Sequence, residues 1–299
     1  MSVSEGYRAG FAHILGKANV GKSTFINSVV GSKVTVTSDK PQTTRNRIRC
    51  IHTTDSYQIV FLDTPGLHKP EGELGKHLSR EAEKALGGSD VLVYMVEPRG
   101  DISEYDRKLL DKLRNVEAPR ILLVNKIDAY SKADTADTLH LYGKEDLFEE
   151  YVPISALKGT NVDLATRKIA EHLPQGPRLF PPETNTDRPV EFLISEYVRE
   201  KVYRLTYEEV PYSVAVETVK VAKRSDRDIV DVYVNIYVAR DSQKGILIGQ
   251  GGQMIKRIGK RAREDIERFL GTDVYLDLEV KVRKNWHKDR KAIEFFSDR

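Results

Sequence analysis

The stretch Gly16 to Ser23, reading G-K-A-N-V-G-K-S, constrains this chain more than any other. Two glycines let backbone N–H groups curl around a run of phosphates, and a helix starting at the loop's end presents its positive N-terminus to them. The pattern works this way only where a strand enters the loop and a helix leaves it. Phe11 to Leu15 is a short apolar run ending at Gly16, and Phe25, Ile26, Val29 and Val30 follow Ser23 at helical spacing. Lys22 is then expected to reach the β- and γ-phosphates and the Ser23 hydroxyl to ligate Mg²⁺, with Gly16, Asn19, Val20, Gly21 and Thr24 completing the contacts of the loop.

Further motifs follow in order. Gly31 and Ser32 close the first helix, and the polar segment Lys33 to Asn46 contains Pro41-Gln42-Thr43-Thr44-Arg45. Beside a phosphate loop this segment reads as a switch, in which a Thr hydroxyl joins the Mg²⁺ shell only while a γ-phosphate is present. Thr44, directly before Arg45, is preferred over Thr43. Arg47 to Thr53 and Tyr57 to Leu62 read as a hairpin ending in Asp63-Thr64-Pro65-Gly66. Asp63 is placed to hold Mg²⁺, commonly through water, and Gly66 to offer its N–H to the γ-phosphate. A helix is expected over Lys76 to Leu86, and His68 and His77, lacking metal-ligand spacing, read as exposed polar residues.

Val91 to Val96 and Ile121 to Val124 are continuous apolar runs, as strands buried on both faces require, with a helix including Arg107 to Leu113 between them. The second run ends in Asn125-Lys126-Ile127-Asp128. The Asp128 carboxylate can accept from guanine N1–H and the exocyclic amine, Asn125 can brace the loop and meet the base, and the Lys126 stem can cover a base face. Sites built on such hydrogen bonds reject an analogue lacking them by about 10⁴-fold, so the nucleotide is GTP or GDP rather than ATP. A strand at Tyr151 to Ile154 leads to Ser155-Ala156-Leu157, whose N–H groups are placed to receive guanine O6, and Asn161 to Leu173 supplies a last helix. The alternation makes an α/β, doubly wound sheet with ligands at the strand carboxyl ends.

At 299 residues the chain exceeds the usual size of one core, so two domains are expected. Pro174, Pro177, Pro181, Pro182 and Pro189 mark the boundary, giving a GTPase domain over 1–174, a Pro-rich linker over 175–188 and a second domain over 189–299. With 48 basic and 45 acidic residues the net charge is only +3, so any nucleic-acid footprint must be local. The single cysteine, Cys50, excludes an intramolecular disulfide framework and a Cys-based zinc site. Met1 to Gly10 carries no signal-like apolar run, and the protein is expected to be soluble and intracellular.

The second domain opens with a helix whose stripe is Val190, Leu193, Ile194, Tyr197, Val198, Val202 and Leu205, with Asp187 as cap. Val214 to Val221, the alternating Ile229 to Val238 and the alternating Val274 to Val282 read as strands. Between the last two lies Ile248-Gly249-Gln250-Gly251-Gly252, then a helix with Ile255, Ile258, Ala262, Ile266 and Phe269 inward and Lys256, Arg257, Lys260, Arg261 and Arg263 outward. Two helices joined by G-x-x-G are the clamp of the KH module, and the element order matches its type II form, a smaller α+β domain. Tyr233 and Tyr237 either stack bases or pack in the domain, and Trp286 with Arg283, Lys284, Lys288, Arg290 and Lys291 nearby resembles a nucleic-acid tail.

Across nearly the whole chain this order resembles the Era family, among the TrmE-Era-EngA-like GTPases, in Q-T-T-R at 42 to 45, D-T-P-G-L-H at 63 to 68 and a C-terminal KH domain with I-G-x-x-G. The resemblance implies a GTP-hydrolysing switch that binds 16S rRNA near its 3′ end and assists assembly of the 30S ribosomal subunit. It also implies a cytoplasmic protein, expected as a monomer, with peripheral association with the inner face of the cell membrane. Lys17 and Ala18 depart from the family's usual Arg and Pro, and Leu67 stands where Ras-like enzymes keep a water-orienting Gln. Asn19 matches the position that helps bind K⁺ in some related GTPases. Two other readings stay open, an RNA-binding scaffold that binds GTP with little hydrolysis and an ATP-dependent kinase, the latter disfavoured by Asp128.

Overall fold

The computed structural model describes residues 6–36, 48–63, 88–284, 286, 289, 292–293 and 295–296. Thr43, Thr44, Gly66, Leu67, His68, His77 and the expected helix at 76–86 lie outside the described residues. The described residues fall into two compact units, the first holding those of 6–35, 48–63 and 88–187 and the second Val36 with those from Arg188 onward.

In the first unit, strands β1 (Arg8–Leu15), β2 (Ile48–Thr53), β3 (Tyr57–Asp63), β4 (Val91–Val96), β5 (Arg120–Asn125) and β6 (Glu150–Ile154) form one sheet in the order β2-β3-β1-β4-β5-β6. Only β2 runs antiparallel to its neighbour, as its hairpin with β3 demands. Helices α1 (Lys22–Val30), α2 (Glu104–Leu113) and α3 (Lys132–Gly143) follow β1, β4 and β5, and α4 (Val162–Glu171) follows β6. One core buries Tyr94, Leu109, Leu113, Leu122, Tyr142 and Phe148 together. Elsewhere Phe25 of α1 meets Phe61 of β3 edge to face, with ring centres 6.0 Å apart. The doubly wound parallel sheet brings the carboxyl ends of β1, β3, β5 and β6 to one edge, where the phosphate loop, Asp63, the N-K-x-D turn and the 155–157 turn stand.

Helix α3 is absent from the sequence reading. Its apolar residues are too sparse for a clear period, yet a signal is present, because Ser131 and Asp134 form a capping box. Ser103 and Asp106 do the same for α2. The Pro-rich segment before Asp187 is fastened along the first unit. Gln58, fully buried on β3, accepts from the N–H groups of Leu179 (2.8 Å) and Phe180 (2.9 Å) and donates to the Phe180 carbonyl (2.9 Å). Ile51 N–H donates to Asn185 O at 2.9 Å.

In the second unit the order is α5 (Val190–Leu205), β7 (Ala215–Lys223), β8 (Ile229–Val238), α6 (Asp241–Ile248), α7 (Gln253–Leu270) and β9 (Asp273–Val282), with sheet order β7-β8-β9. β7 pairs antiparallel and β9 parallel to β8. Val232, Val234, Ile236 and Val238 of β8 are buried with Ile258, Ala262 and Ile266 of α7, as their alternation and helical spacing predict. Three expectations are corrected. Pro189, not Asp187, caps α5, and Asp187 instead pairs with Arg49 at 3.0 Å. Val190 is exposed rather than part of the buried stripe. Trp286 is core, not a nucleic-acid tail, since it is 3% exposed among Ala215, Ala239, Ala292 and Ile293 and its Nε1–H donates to Ser213 O at 2.8 Å. Among the described residues no helix is long and apolar enough to cross a membrane.

Candidate nucleotide and RNA sites

The 16–23 loop leaves β1 and enters α1 as its pattern requires. Gly16 and Gly21 have φ of 144° and 105°; a Cβ at Gly16 would lie 2.4 Å from Met95 O, and one at Gly21 2.1 Å from Asn125 Nδ2. Each position therefore excludes a side chain both by conformation and by space. Asn19, at φ 65°, is exposed on the loop, and Val20 is buried beneath it. Ser23 and Thr24 stand half-buried in the first turn of α1.

Lys22 lies across its own loop, donating to the carbonyl oxygens of Gly16 (2.9 Å) and Lys17 (2.8 Å). An ammonium has three donors, so one remains for a phosphate. Burial pushes the Lys22 ammonium down to about 8, against the opposing pull of the Asp63 carboxylate. Asp63 itself is fully buried at the end of β3, and Ser23 Oγ donates to its Oδ2 at 3.2 Å. These hard oxygen donors suit Mg²⁺, which is commonly held by one or two protein oxygens, substrate phosphates and water. Among the described residues no cluster of three or more His, Cys, Asp or Glu offers an all-protein cage.

Asn125 joins three loops. Its Nδ2 donates to Val20 O at 2.7 Å, and its Oδ1 accepts from Ala156 N–H at 2.9 Å. The phosphate loop, the N-K-x-D turn and the 155–157 turn are thereby locked in register. Ser155 Oγ donates to Asp128 Oδ1 at 2.6 Å, which orients an otherwise exposed carboxylate. Lys126 has φ 71°, and its Nζ reaches Glu97 Oε1 at 2.6 Å. Leu157 is 74% exposed at the rim. Lys17 also acquires a structural partner, since its Nζ donates to Asp106 Oδ2 at 2.7 Å. Sequence reasoning missed Glu97 and Asp106, because no local pattern marks a carboxylate whose partner is 29 or 89 residues away.

In the second unit Gly249, Gln250, Gly251 and Gly252 turn between α6 and α7. The glycines have φ of 71°, 57° and 76°, and a Cβ at Gly249 would lie 2.8 Å from Met254 Cβ. Ile248 is half-buried before the turn, and Ile246 is 48% exposed. Lys256, Arg257, Lys260 and Arg261 are exposed and have no ion pair among the described residues, unlike Arg263, which pairs with Glu267 at 3.5 Å. Four uncompensated cations beside an open backbone turn suit a phosphodiester chain. Both tyrosines of β8 already have protein partners. Tyr237 Oη donates to Glu217 Oε2 at 2.9 Å with its ring 5.1 Å from Phe296, and the Tyr233 ring is 6.4 Å from that of Tyr275.

Residues 11–126 match the family model described as 50S ribosome-binding GTPase, and residues 209–287 match that of the KH domain. The chain is 46% identical to GTPase Era of Clostridioides difficile (strain 630) over 97% of this chain and 98% of that one. It is 45% identical to GTPase Era of Caldanaerobacter subterraneus subsp. tengcongensis over 96% of each. Among solved structures it resembles Era in complex with MgGDPNP and nucleotides 1506–1542 of 16S ribosomal RNA, with TM-score 0.91 and 37% identity over 97% of this chain and 98% of that one. An Aquifex aeolicus Era variant bound to GDP·AlF4⁻ gives TM-score 0.90 at 37% identity, over the same shares of the two chains. Likeness at this level runs through both units rather than the nucleotide motifs alone, and by it the chain belongs to the Era family of GTPases.

Proposed function

We propose that this GTPase is a Mg²⁺-dependent switch that binds small-subunit rRNA near its 3′ end through the KH domain and assists assembly of the 30S subunit. The observation that carries the reading is a phosphate loop locked to an N-K-x-D turn on the same chain as a G-Q-G-G turn flanked by four uncompensated cations. The relative held with MgGDPNP and a 16S rRNA segment supports the pairing of the two ligands. In this reading the GTPase domain spans 1–174, residues 175–188 connect it to the KH domain, and the KH domain spans 189–299.

The Lys22 ammonium stabilises charge on the β- and γ-phosphates, and backbone N–H groups from Gly16 to Thr24 fix their position. Ser23, Asp63 and Thr44 would hold Mg²⁺, which would supply positive charge against the phosphates. Gly66 offers its N–H to the γ-phosphate. Asp128 reads the guanine edge, Lys126 covers a base face, Asn125 braces the site, and Ser155, Ala156 and Leu157 border O6. Ile248 to Gly252 with Lys256, Arg257 and Lys260 clamp the RNA strand. The protein acts in the cytoplasm as a monomer, with peripheral association with the inner face of the membrane.

Crosslinking the full chain to total RNA and mapping the bound sequence tests the reading. Crosslinks should concentrate near the 3′ end of small-subunit rRNA and fall by about tenfold in Gly251→Asp, which sets a carboxylate against phosphate. Crosslinks scattered over unrelated RNAs, and equal in the variant, would reject it. At Asn19 we place a K⁺ contribution to hydrolysis, expected as faster GTP turnover in K⁺ than in Na⁺ at equal ionic strength; equal rates in the two salts remove K⁺ from the scheme.

A further inference from the structure

Both lysines flanking the nucleotide motifs end on carboxylates carried by a single connection, the one that leaves β4 and enters α2. Glu97 stands directly after β4, and Asp106 lies in the first turn of α2. Glu97 Oε1 accepts from Lys126 Nζ at 2.6 Å, while its Oε2 accepts from Arg99 Nη2 (2.7 Å) and Tyr130 Oη (3.1 Å). Asp106 Oδ2 accepts from Lys17 Nζ at 2.7 Å and from Ser103 Oγ at 2.6 Å, and its Oδ1 accepts from Tyr94 Oη at 2.5 Å.

Exposure is asymmetric across both pairs. The carboxylate side chains are 10% and 5% exposed, whereas those of Lys126 and Lys17 are 36% and 41% exposed. The acids are therefore the fixed ends, each tied to its own segment by further hydrogen bonds, and the lysines are what they hold. Burial works against the charge of each acid, yet hydrogen bonds led by Lys126 at Glu97 and by Lys17 at Asp106 hold both below the ordinary carboxylate range. Both are thus ionised at neutral pH.

We propose that the 97–106 connection positions the nucleotide site from two sides, Glu97 holding Lys126 at the base loop and Asp106 holding Lys17 at the phosphate loop, and so sets guanine-nucleotide affinity. A free lysine loses rotamer freedom when a ligand orders it, and a lysine already held by a carboxylate loses less. Both carboxylates lie on the connection from β4 to α2, outside the 42–45 and 63–66 segments proposed to meet the γ-phosphate, so the brace acts on GDP and GTP alike. Glu97 and Asp106 are positioning residues and touch no reacting atom. The proposal rests on the guanine-nucleotide site described above and adds to it the element that keeps that site shaped.

The test is the dissociation constant and release rate of fluorescent GDP and of a non-hydrolysable GTP analogue, measured on the full chain. Glu97→Gln and Asp106→Asn should each weaken both nucleotides by about tenfold, the scale of one charge-assisted hydrogen bond, through faster release. The ratio of GDP to GTP-analogue affinity should stay unchanged. Lys17→Met combined with Asp106→Asn should weaken binding no further than the worse single change, because the two remove one interaction. If Asp106→Asn fails to fold, the half-exposed Lys17→Met tests the same contact. Affinities within twofold of the parent in folded Glu97→Gln and Lys17→Met would overturn the proposal, as would an effect on the GTP analogue alone or full additivity in the Lys17–Asp106 cycle. A parent chain that binds no GDP would overturn the nucleotide site itself and this brace with it.

Discussion

Lys22→Ala lowers GTP turnover by about 10³-fold or more, because it removes a buried cation from the phosphate loop, where the proposed reaction develops phosphate charge. Multiple-turnover phosphate release at saturating GTP measures it, and a variant retaining a tenth of the parent rate would exclude the role. Its pH behaviour gives a second readout. In the free protein, burial lowers the Lys22 ammonium to about 8, while a bound phosphate favours the charged form and raises it. Nucleotide affinity is then fully present below pH 8 and declines as pH climbs past that value toward the raised value of the complex. Lys22→Ala should flatten this decline. An affinity that stays constant between pH 7 and 9 in the parent would contradict it.

Asp128→Asn has the second large effect, on which base is accepted. In the proposed site the carboxylate accepts from two guanine donors, and Ser155 Oγ donates to its Oδ1 at 2.6 Å so that little freedom remains for an alternative pose. An amide turns its NH₂ toward those donors and leaves them unpaired, so GTP affinity should fall by about 10³- to 10⁴-fold. Xanthine carries a C2 carbonyl where guanine has its amine, and the new NH₂ can donate to it. XTP should therefore compete better than GTP for the variant and worse for the parent. Competition against labelled GDP reads both, and an unchanged GTP preference would show that the base is selected elsewhere.

The nucleotide motifs were legible in advance because they are local and conformational. Gly16 and Gly21 announce positive φ wherever they sit between a strand and a helix, and the observed angles of 144° and 105° agree. The same holds for Gly249, Gly251 and Gly252 between α6 and α7. Alternation in Ile229–Val238 and helical spacing in Gln253–Leu270 likewise predicted the buried faces. Helix α3 escaped because its stripe is weak, although its Ser131–Asp134 capping box was readable.

Which backbone turns this chain can make and which faces of its strands and helices are apolar could be read from the residues alone, as could a carboxylate at Asp128 of the kind that guanine's two donors call for. Those properties reside in a residue and its near neighbours. What Gln58, Glu97, Asp106 and Trp286 do emerges from packing, since each takes its meaning from a partner far along the chain. Gln58 binds backbone 122 residues away, and Trp286 reaches back 73 residues to Ser213. A polar side chain or a tryptophan must satisfy its hydrogen bonds once buried, but the strand or loop that will bury it is settled by packing. For the same reason the lysine at position 17, without a role in the local pattern of its loop, gains one from the carboxylate that α2 brings beside it.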